Sequence, residues 1–288
     1  MTDTPLHAIF IEDPADPRLT PYLNQKDAWL RASHNPDRTP GAPNDDKGRF
    51  IAEGELVIAQ LLRSTFQVES VLTTPARLRR IEQLVKPALH TPPLMVVAQE
   101  LMDTITGFHV HRGMLACGKR PPATNATDLL ARADLVVVLV DLANHDNVGG
   151  IFRSVAALGG PRAAVLLTPG CCDPLYRKAI RVSMGQVFHV PWNWGKPSSN
   201  ALRQQLLEAG FTTIAMSPDA LENLSPCLGN STHKTALLLG PEGPGLSHDW
   251  LQIADRRVRI PMAPGVDSLN VTVAASIALY VLGSRLNA

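Results

Sequence analysis

Residues 135–154 read LVVVLVDLANHDNVGGIFRS. The first six are apolar without interruption and rich in valine, the composition of a strand covered on both faces in a parallel sheet. Asp141 ends the run, and the polar stretch after it leads into apolar positions at helical spacing. The alternation continues through AAVLLT (163–168), PLYRKAIRVSMG (174–185), QVFHVP (186–191), SNALRQQLLEAG (199–210), FTTIAM (211–216), TALLLG (235–240), HDWLQIAD (248–255) and RVRIP (257–261). QVFHVP reads as a strand in this series. Alternating strands and helices predict an α/β fold built as a doubly wound sheet.

Ligands of such sheets sit beyond the carboxyl ends of the strands. The loops after Asp141, Gly240 and Ile260 are therefore the expected site. TALLLGPEGPGLS (235–247) breaks from an apolar strand into a Pro/Gly turn that carries one carboxylate, Glu242. IPMAPGVDSLNVTVAASIALY (260–280) sets turn formers Pro261, Pro264 and Gly265 beside Asp267, Ser268 and Asn270. That composition suits a loop facing a ligand. From Leu269 to Leu282 the chain is nearly all apolar, which predicts a helix buried on most sides.

A chain of 288 residues has room for two domains. Its net charge of +1 supplies no overall attraction to nucleic acid, so binding of that kind must come from local patches. The four cysteines, Cys117, Cys171, Cys172 and Cys227, lack the paired spacing of a zinc site. No run approaches a membrane span. The expectation is a soluble cytoplasmic chain with reduced thiols, no membrane association and no metal.

Upstream of residue 125 the pattern is a smaller α/β unit. Leu6–Ile11 reads as a short strand, 27–32 as a helix, and 33–48, rich in Pro, Asn, Asp and Gly, as an exposed loop. RFIAEGELVIAQLLRS (49–64) reads as one helix, with Ile51, Val57, Ile58, Leu61 and Leu62 on one side. VESVLTT, LMVVAQ and GMLACGKR read as strands, with helices at Pro75–Val85 and QELMDTIT. Asn125 caps a helical turn and marks the boundary. The expected organisation is an extension over 1–48, a small α/β domain over 49–124 and the doubly wound domain over 125–288.

Taken singly, the polar residues of the three loops are ambiguous. Neither a G-x-G-x-x-G nor a G-x-x-x-x-G-K-[ST] pattern is present, which disfavours a Rossmann dehydrogenase or a P-loop nucleotidase. Arg153 sits among Ile151, Phe152, Val155 and Ala156, where a guanidinium needs partners; a structural salt bridge and a phosphate or substrate contact both remain open. Glu242 alone reads as a turn residue, and Ser268 and Asn270 alone read as helix caps.

Together they form an ordered set: N-x(5)-R, G-P-E-G-P-G-L-S and I-P-M-x(5)-S-L-N-V. This set resembles the SpoU/TrmH group of the SPOUT superfamily of RNA methyltransferases, over residues 135–286. The resemblance implies transfer of a methyl group from S-adenosylmethionine to a ribose 2′-hydroxyl in ribosomal or transfer RNA. It implies that Asn147, Arg153, Glu242, Ser268 and Asn270 act in the reaction, and that Gly240, Ile260 and Leu269 receive the cofactor's adenosyl part through the main chain. A carboxyl-terminal trefoil knot and a homodimer are also implied. Residues 49–62 and 111–120 resemble the start and the end of the family's small RNA-binding domain. A non-catalytic RNA-binding or assembly factor that keeps the fold is the alternative.

The candidate RNA patches are Arg77, Arg79 and Arg80; Arg112, Lys119 and Arg120; and Arg177, Lys178 and Arg181. The third is preferred, because it lies in a family-like segment of the second domain. Trp192 and Trp194 read as packing residues, and Cys171–Cys172 as ordinary loop cysteines.

Overall fold

The structure, a computed structural model, describes residues 8–23, 48–85, 91–106, 113–195, 198–225 and 234–283. The expected helix at 27–32, the loop at 33–47, Arg112 and Cys227 lie outside the described residues. Contacts divide the chain into two units. One comprises Met1–Pro122 with Leu175–Phe188, the other Ala123–Pro174 with His189–Ala288.

Among the described residues the first unit holds a five-stranded mixed sheet: β1 (Ala8–Phe10), β2 (Arg49–Glu53), β3 (Val68–Thr73), β4 (Leu94–Val96) and β5 (Met114–Lys119), in the order β1-β4-β3-β5-β2. Among the described residues its helices are α1 (Glu55–Leu62), α2 (Leu78–Val85), α3 (Gln99–Thr106) and, from the later segment, Arg177–Val182. The single helix expected over 49–64 is instead a strand and a helix. Gly54 has φ of 90°, a conformation open to glycine, and breaks the two apart. Ile51 therefore belongs to β2, opposite Cys117 of β5.

Two segments depart from the boundaries drawn from the sequence. Residues 8–23, read as part of an extension, supply β1, parallel to β4, and bury Leu19 and Tyr22 in the first unit's core. The Tyr22 hydroxyl donates to the Ser70 carbonyl at 3.0 Å. Residues 175–188, read as part of the second domain, cluster with the first unit, and the Phe188 ring lies 5.4 Å from Phe50 and 5.3 Å from Phe66. This aromatic packing explains why QVFHVP is not a strand. Gln186–Phe188 form a 3₁₀ turn, and the strand forms later, at Trp192–Trp194.

Among the described residues the second unit carries seven parallel strands: β6 (Leu135–Leu139), β7 (Ala163–Leu167), β8 (Trp192–Trp194), β9 (Phe211–Met216), β10 (Glu222–Asn223), β11 (Lys234–Leu239) and β12 (Arg256–Arg259). Their order is β10-β12-β9-β11-β6-β7-β8. The helices are α4 (Ala126–Arg132), α5 (His145–Leu158), α6 (Ser199–Glu208), α7 (His248–Gln252) and α8 (Val271–Gly283). Asn125 caps α4, accepting from Thr127 N at 2.8 Å.

Every residue of β6 is buried, as its apolar run predicts. Val136 and Val138 join a core cluster with Leu129 and Leu130 of α4 and Leu202 and Leu206 of α6. Leu135, Val137 and Leu139 alternate to the other face. Because β11 lies between β9 and β6, with β12 beyond β9, the segment after β12 must cross back over the strand ends to bring α8 against α5. That return path places residues 260–270 beside the ends of β6, β11 and β12.

Helix α8 is less enclosed than its sequence predicts. Val271, Ala275, Ala278, Leu279 and Leu282 are buried, whereas Val273 and Tyr280 are 47% and 68% exposed. The helix is apolar on nearly all sides but packs on α5 by one face only. Among the described residues no helix is long and apolar enough to cross a membrane.

Candidate active site

Asn147 sits in the first turn of α5, whose N-cap Asn144 accepts from Asp146 N at 2.8 Å. The strand end before it is held by Thr168 of the neighbouring strand's end. Its hydroxyl donates to Asp141 Oδ1 at 2.7 Å and accepts from Asp141 N at 2.9 Å. Asp141 adopts φ of 53°, a left-handed conformation that Asp tolerates better than most residues.

Asn270 sets the hydrogen-bond directions of the site. Its Oδ1 accepts from Thr272 N at 2.9 Å, an N-cap for α8. The amide nitrogen must then face the other way, and it donates to Asn147 Oδ1 at 3.0 Å and to Glu242 Oε1 at 2.5 Å. Asn147 Oδ1 is thereby fixed as an acceptor, which orients its amide. Asn147 is 5% exposed, and its Nδ2 hydrogens have no acceptor among the described residues. A buried donor left in this way calls for a ligand or water to satisfy it.

The helices that carry these residues approach closely. A Cβ on Gly150 would stand 2.6 Å from Thr272 Cγ2. Ser154 and Ser276 pair through their hydroxyls at 2.8 Å across the same seam, and Thr272 Oγ1 lies 3.4 Å from Asn147 Oδ1.

Beside the Asn147–Asn270–Glu242 cluster is a cavity of about 160 Å³ at the ends of β9, β11 and β12. Gly240, Ile260 and Leu269 line it, as do Glu242, Ser268, Met216, Met262, Val271 and Ala274. The turn after β11 closes tightly on itself: a Cβ on Gly240 would meet Leu246 N at 2.5 Å. A second cleft of about 610 Å³ shares Pro218, Gly243, Arg259, Ile260, Met262 and Ser268 with the first.

The structure thus gathers Asn147, Glu242 and Asn270 by direct hydrogen bonds, and Ser268 with Glu242 in one cavity wall. Ser268 makes no side-chain hydrogen bond among the described residues, so Asn270 alone is the cap. Arg153 is exposed on α5 and has no ion pair among the described residues, which removes the salt-bridge reading. Sequence reasoning missed Thr272 and Arg259. The signal for Arg259 was available: three arginines in a four-residue strand, RRVR, are costly unless solvated or engaged.

The other candidates behave as background. Cys171 Sγ donates to the Leu139 carbonyl at 3.1 Å, and burial raises its thiol pKa. Burial, then the neighbouring Cys171 and Asp173, push the Cys172 thiol up to about 12. Such thiols are poor nucleophiles. Trp194 Nε1 donates to the Thr168 carbonyl at 3.0 Å, a packing role. Among the described residues no three His, Cys, Asp or Glu side chains gather to hold a metal ion. Of the basic patches, Arg80 pairs with Glu55 at 2.5 Å and Lys119 lies 3.7 Å from Glu69. Lys178 and Arg181 are exposed, and Arg177 is half-buried, on the helix Arg177–Val182 of the first unit.

Comparison with known proteins identifies the family and the fold. An uncharacterized tRNA/rRNA methyltransferase of Mycobacterium tuberculosis is 38% identical over 93% of this chain and 89% of its own length. The crystal structure of an AdoMet-bound rRNA methyltransferase from Sinorhizobium meliloti superposes with a TM-score of 0.75 at 20% identity, over 97% of this chain and 98% of that one. AviRb from Streptomyces viridochromogenes, a SpoU methyltransferase solved with AdoMet, gives 0.71 at 21% identity over 95% and 100%. These two likenesses establish a shared fold. Residues 134–280, which contain all three loops, match the SpoU rRNA Methylase family, and the chain belongs to that family.

Proposed function

We propose that this chain transfers the methyl group of S-adenosylmethionine to a ribose 2′-hydroxyl of ribosomal or transfer RNA. The observation that carries the reading is the Asn270 amide, which joins Asn147 and Glu242 beside the cavity at the strand ends. The cavity suits the adenosyl part. Leu239, Ile260, Met262, Leu269 and Val271 offer apolar surface to a purine, and the main chain of Gly240, Ile260 and Leu269 offers hydrogen bonds to its edge. When bound, the sulfonium supplies an activated methyl group.

The chain's own task is then to position the ribose and exclude water. Asn147 Nδ2 is assigned to a ribose or phosphate oxygen, which would satisfy its buried hydrogens. Glu242, held by Asn270, keeps the loop after β11 against the α8 cap. Ser268, in the cavity wall, orients the ribose hydroxyl. A guanidinium stays protonated in proteins, so Arg153 is assigned to phosphate binding and charge stabilisation rather than to proton removal. The first unit is proposed as the RNA-binding module, with Arg177, Lys178 and Arg181 as contacts. The exposed apolar residues Val273 and Tyr280 of α8 support a homodimer formed on that helix.

The test is incorporation of label from S-adenosylmethionine into total RNA from cells lacking the protein, followed by mapping of 2′-O-methyl positions, with Arg153→Ala as control. One new site, absent with the variant, establishes the reaction and names the RNA. Cofactor binding without incorporation into any RNA would support the non-catalytic alternative.

A further inference from the structure

Resting on the adenosyl reading of the smaller cavity, we infer that the adjoining cleft holds the amino-acid tail of S-adenosylmethionine, with Arg259 on its carboxylate and Asp267 on its ammonium group. Arg259 stands at the end of β12 and lines both spaces. Its Nε donates to Asn223 Oδ1 at 3.0 Å, which steers the guanidinium, and its terminal nitrogens have no partner among the described residues. Arg256, three positions earlier on the strand, is different, being committed to Glu222.

The cleft also carries Asp219 and Asp267, and neither forms an ion pair with Arg259. One unengaged cation and two carboxylates in one cleft match a zwitterion. A phosphodiester placed there would gain Arg259 but face both carboxylates, an arrangement that costs affinity. The charge pattern thus favours the cofactor's tail over the RNA backbone as the anion. The shared wall of Ile260, Met262 and Ser268 makes the two spaces continuous, as one ligand with an apolar head and a charged tail requires.

Calorimetric titration with S-adenosylhomocysteine and 5′-methylthioadenosine separates the two parts, since the second lacks the amino-acid tail. Arg259→Gln should weaken S-adenosylhomocysteine about tenfold or more, as loss of a charge-assisted bond does, and leave 5′-methylthioadenosine unchanged. Asp267→Asn should show the same selectivity. Equal losses for both ligands would overturn the inference, because Arg259 would then act by shaping the strand end. No change for either, with weakened RNA binding, would overturn it in favour of a phosphate contact. Ala274→Leu, which fills the smaller cavity, should weaken both ligands. If it does not, the adenosyl reading itself falls, independently of Arg259.

Discussion

Asn270 Nδ2 lies 3.0 Å from Asn147 Oδ1, across a sequence separation of 123 residues. The same Asn270 side chain caps α8 through its oxygen. Capping and site assembly are therefore two ends of one amide, and a substitution can divide them. Ser at position 270 keeps a cap oxygen but has no amide to donate to Asn147 and Glu242, and it adds no charge beside Glu242. Asn270→Ser should hold thermal stability closer to that of the parent and lower methyl transfer by a hundredfold or more. Asn270→Ala should lose activity and also about 1 kcal/mol of stability through the missing cap. Parallel melting and transfer assays decide. Full activity in Asn270→Ser would show that the bridge is only structural.

Arg153 makes the complementary case. It is exposed and unpaired among the described residues, so its removal should leave stability within about 0.5 kcal/mol, as surface substitutions do. Transfer should fall by two orders of magnitude or more, and Arg153→Lys should recover little, because a bidentate guanidinium contact is not reproduced by an ammonium. A drop in melting temperature matching the loss of activity would instead mark Arg153 as part of the fold.

The sequence made some of this legible and hid the rest for identifiable reasons. The run 135–140 predicts a strand covered on both faces, and the strand Leu135–Leu139 is buried throughout. The loops after Asp141, Gly240 and Ile260 fall at one edge because every strand of that sheet is parallel. What periodicity could not give is the exception inside a pattern. Gly54 turns one apparent helix into a strand and a helix, and Phe188 leaves an apparent strand to join Phe50 and Phe66. Nor could it see across elements. Thr272 has no motif of its own; its role arises because Gly150, far away in sequence, lets α5 come close.

That contact gives a reciprocal test. In Gly150→Ala the new methyl would meet Thr272 Cγ2 at 2.6 Å, pressing α5 and α8 apart at the level of Asn147. Overpacking of this kind costs about 1–3 kcal/mol, partly offset by the better helix propensity of alanine. Thr272→Ser removes Cγ2 and keeps the hydroxyl. The double variant should therefore regain most of the stability and activity lost in Gly150→Ala. Simple additivity of the two changes in a double-mutant cycle would exclude the steric account.

The last prediction concerns the uncovered face of α8. Val273 and Tyr280 are seven residues apart, two helical turns, with the half-buried Ile277 between them on the same side. An apolar stripe left in water beside the residues assigned to catalysis is the kind of surface a second copy covers, and a two-fold interface would place the same stripe against itself. Sedimentation at micromolar concentration should give a dimer for the parent chain. Val273→Glu with Tyr280→Glu should give a folded monomer, since carboxylates on both copies would face each other across the axis. A parent chain that sediments as a monomer removes the proposed homodimer. A dimer that survives both substitutions places the interface elsewhere.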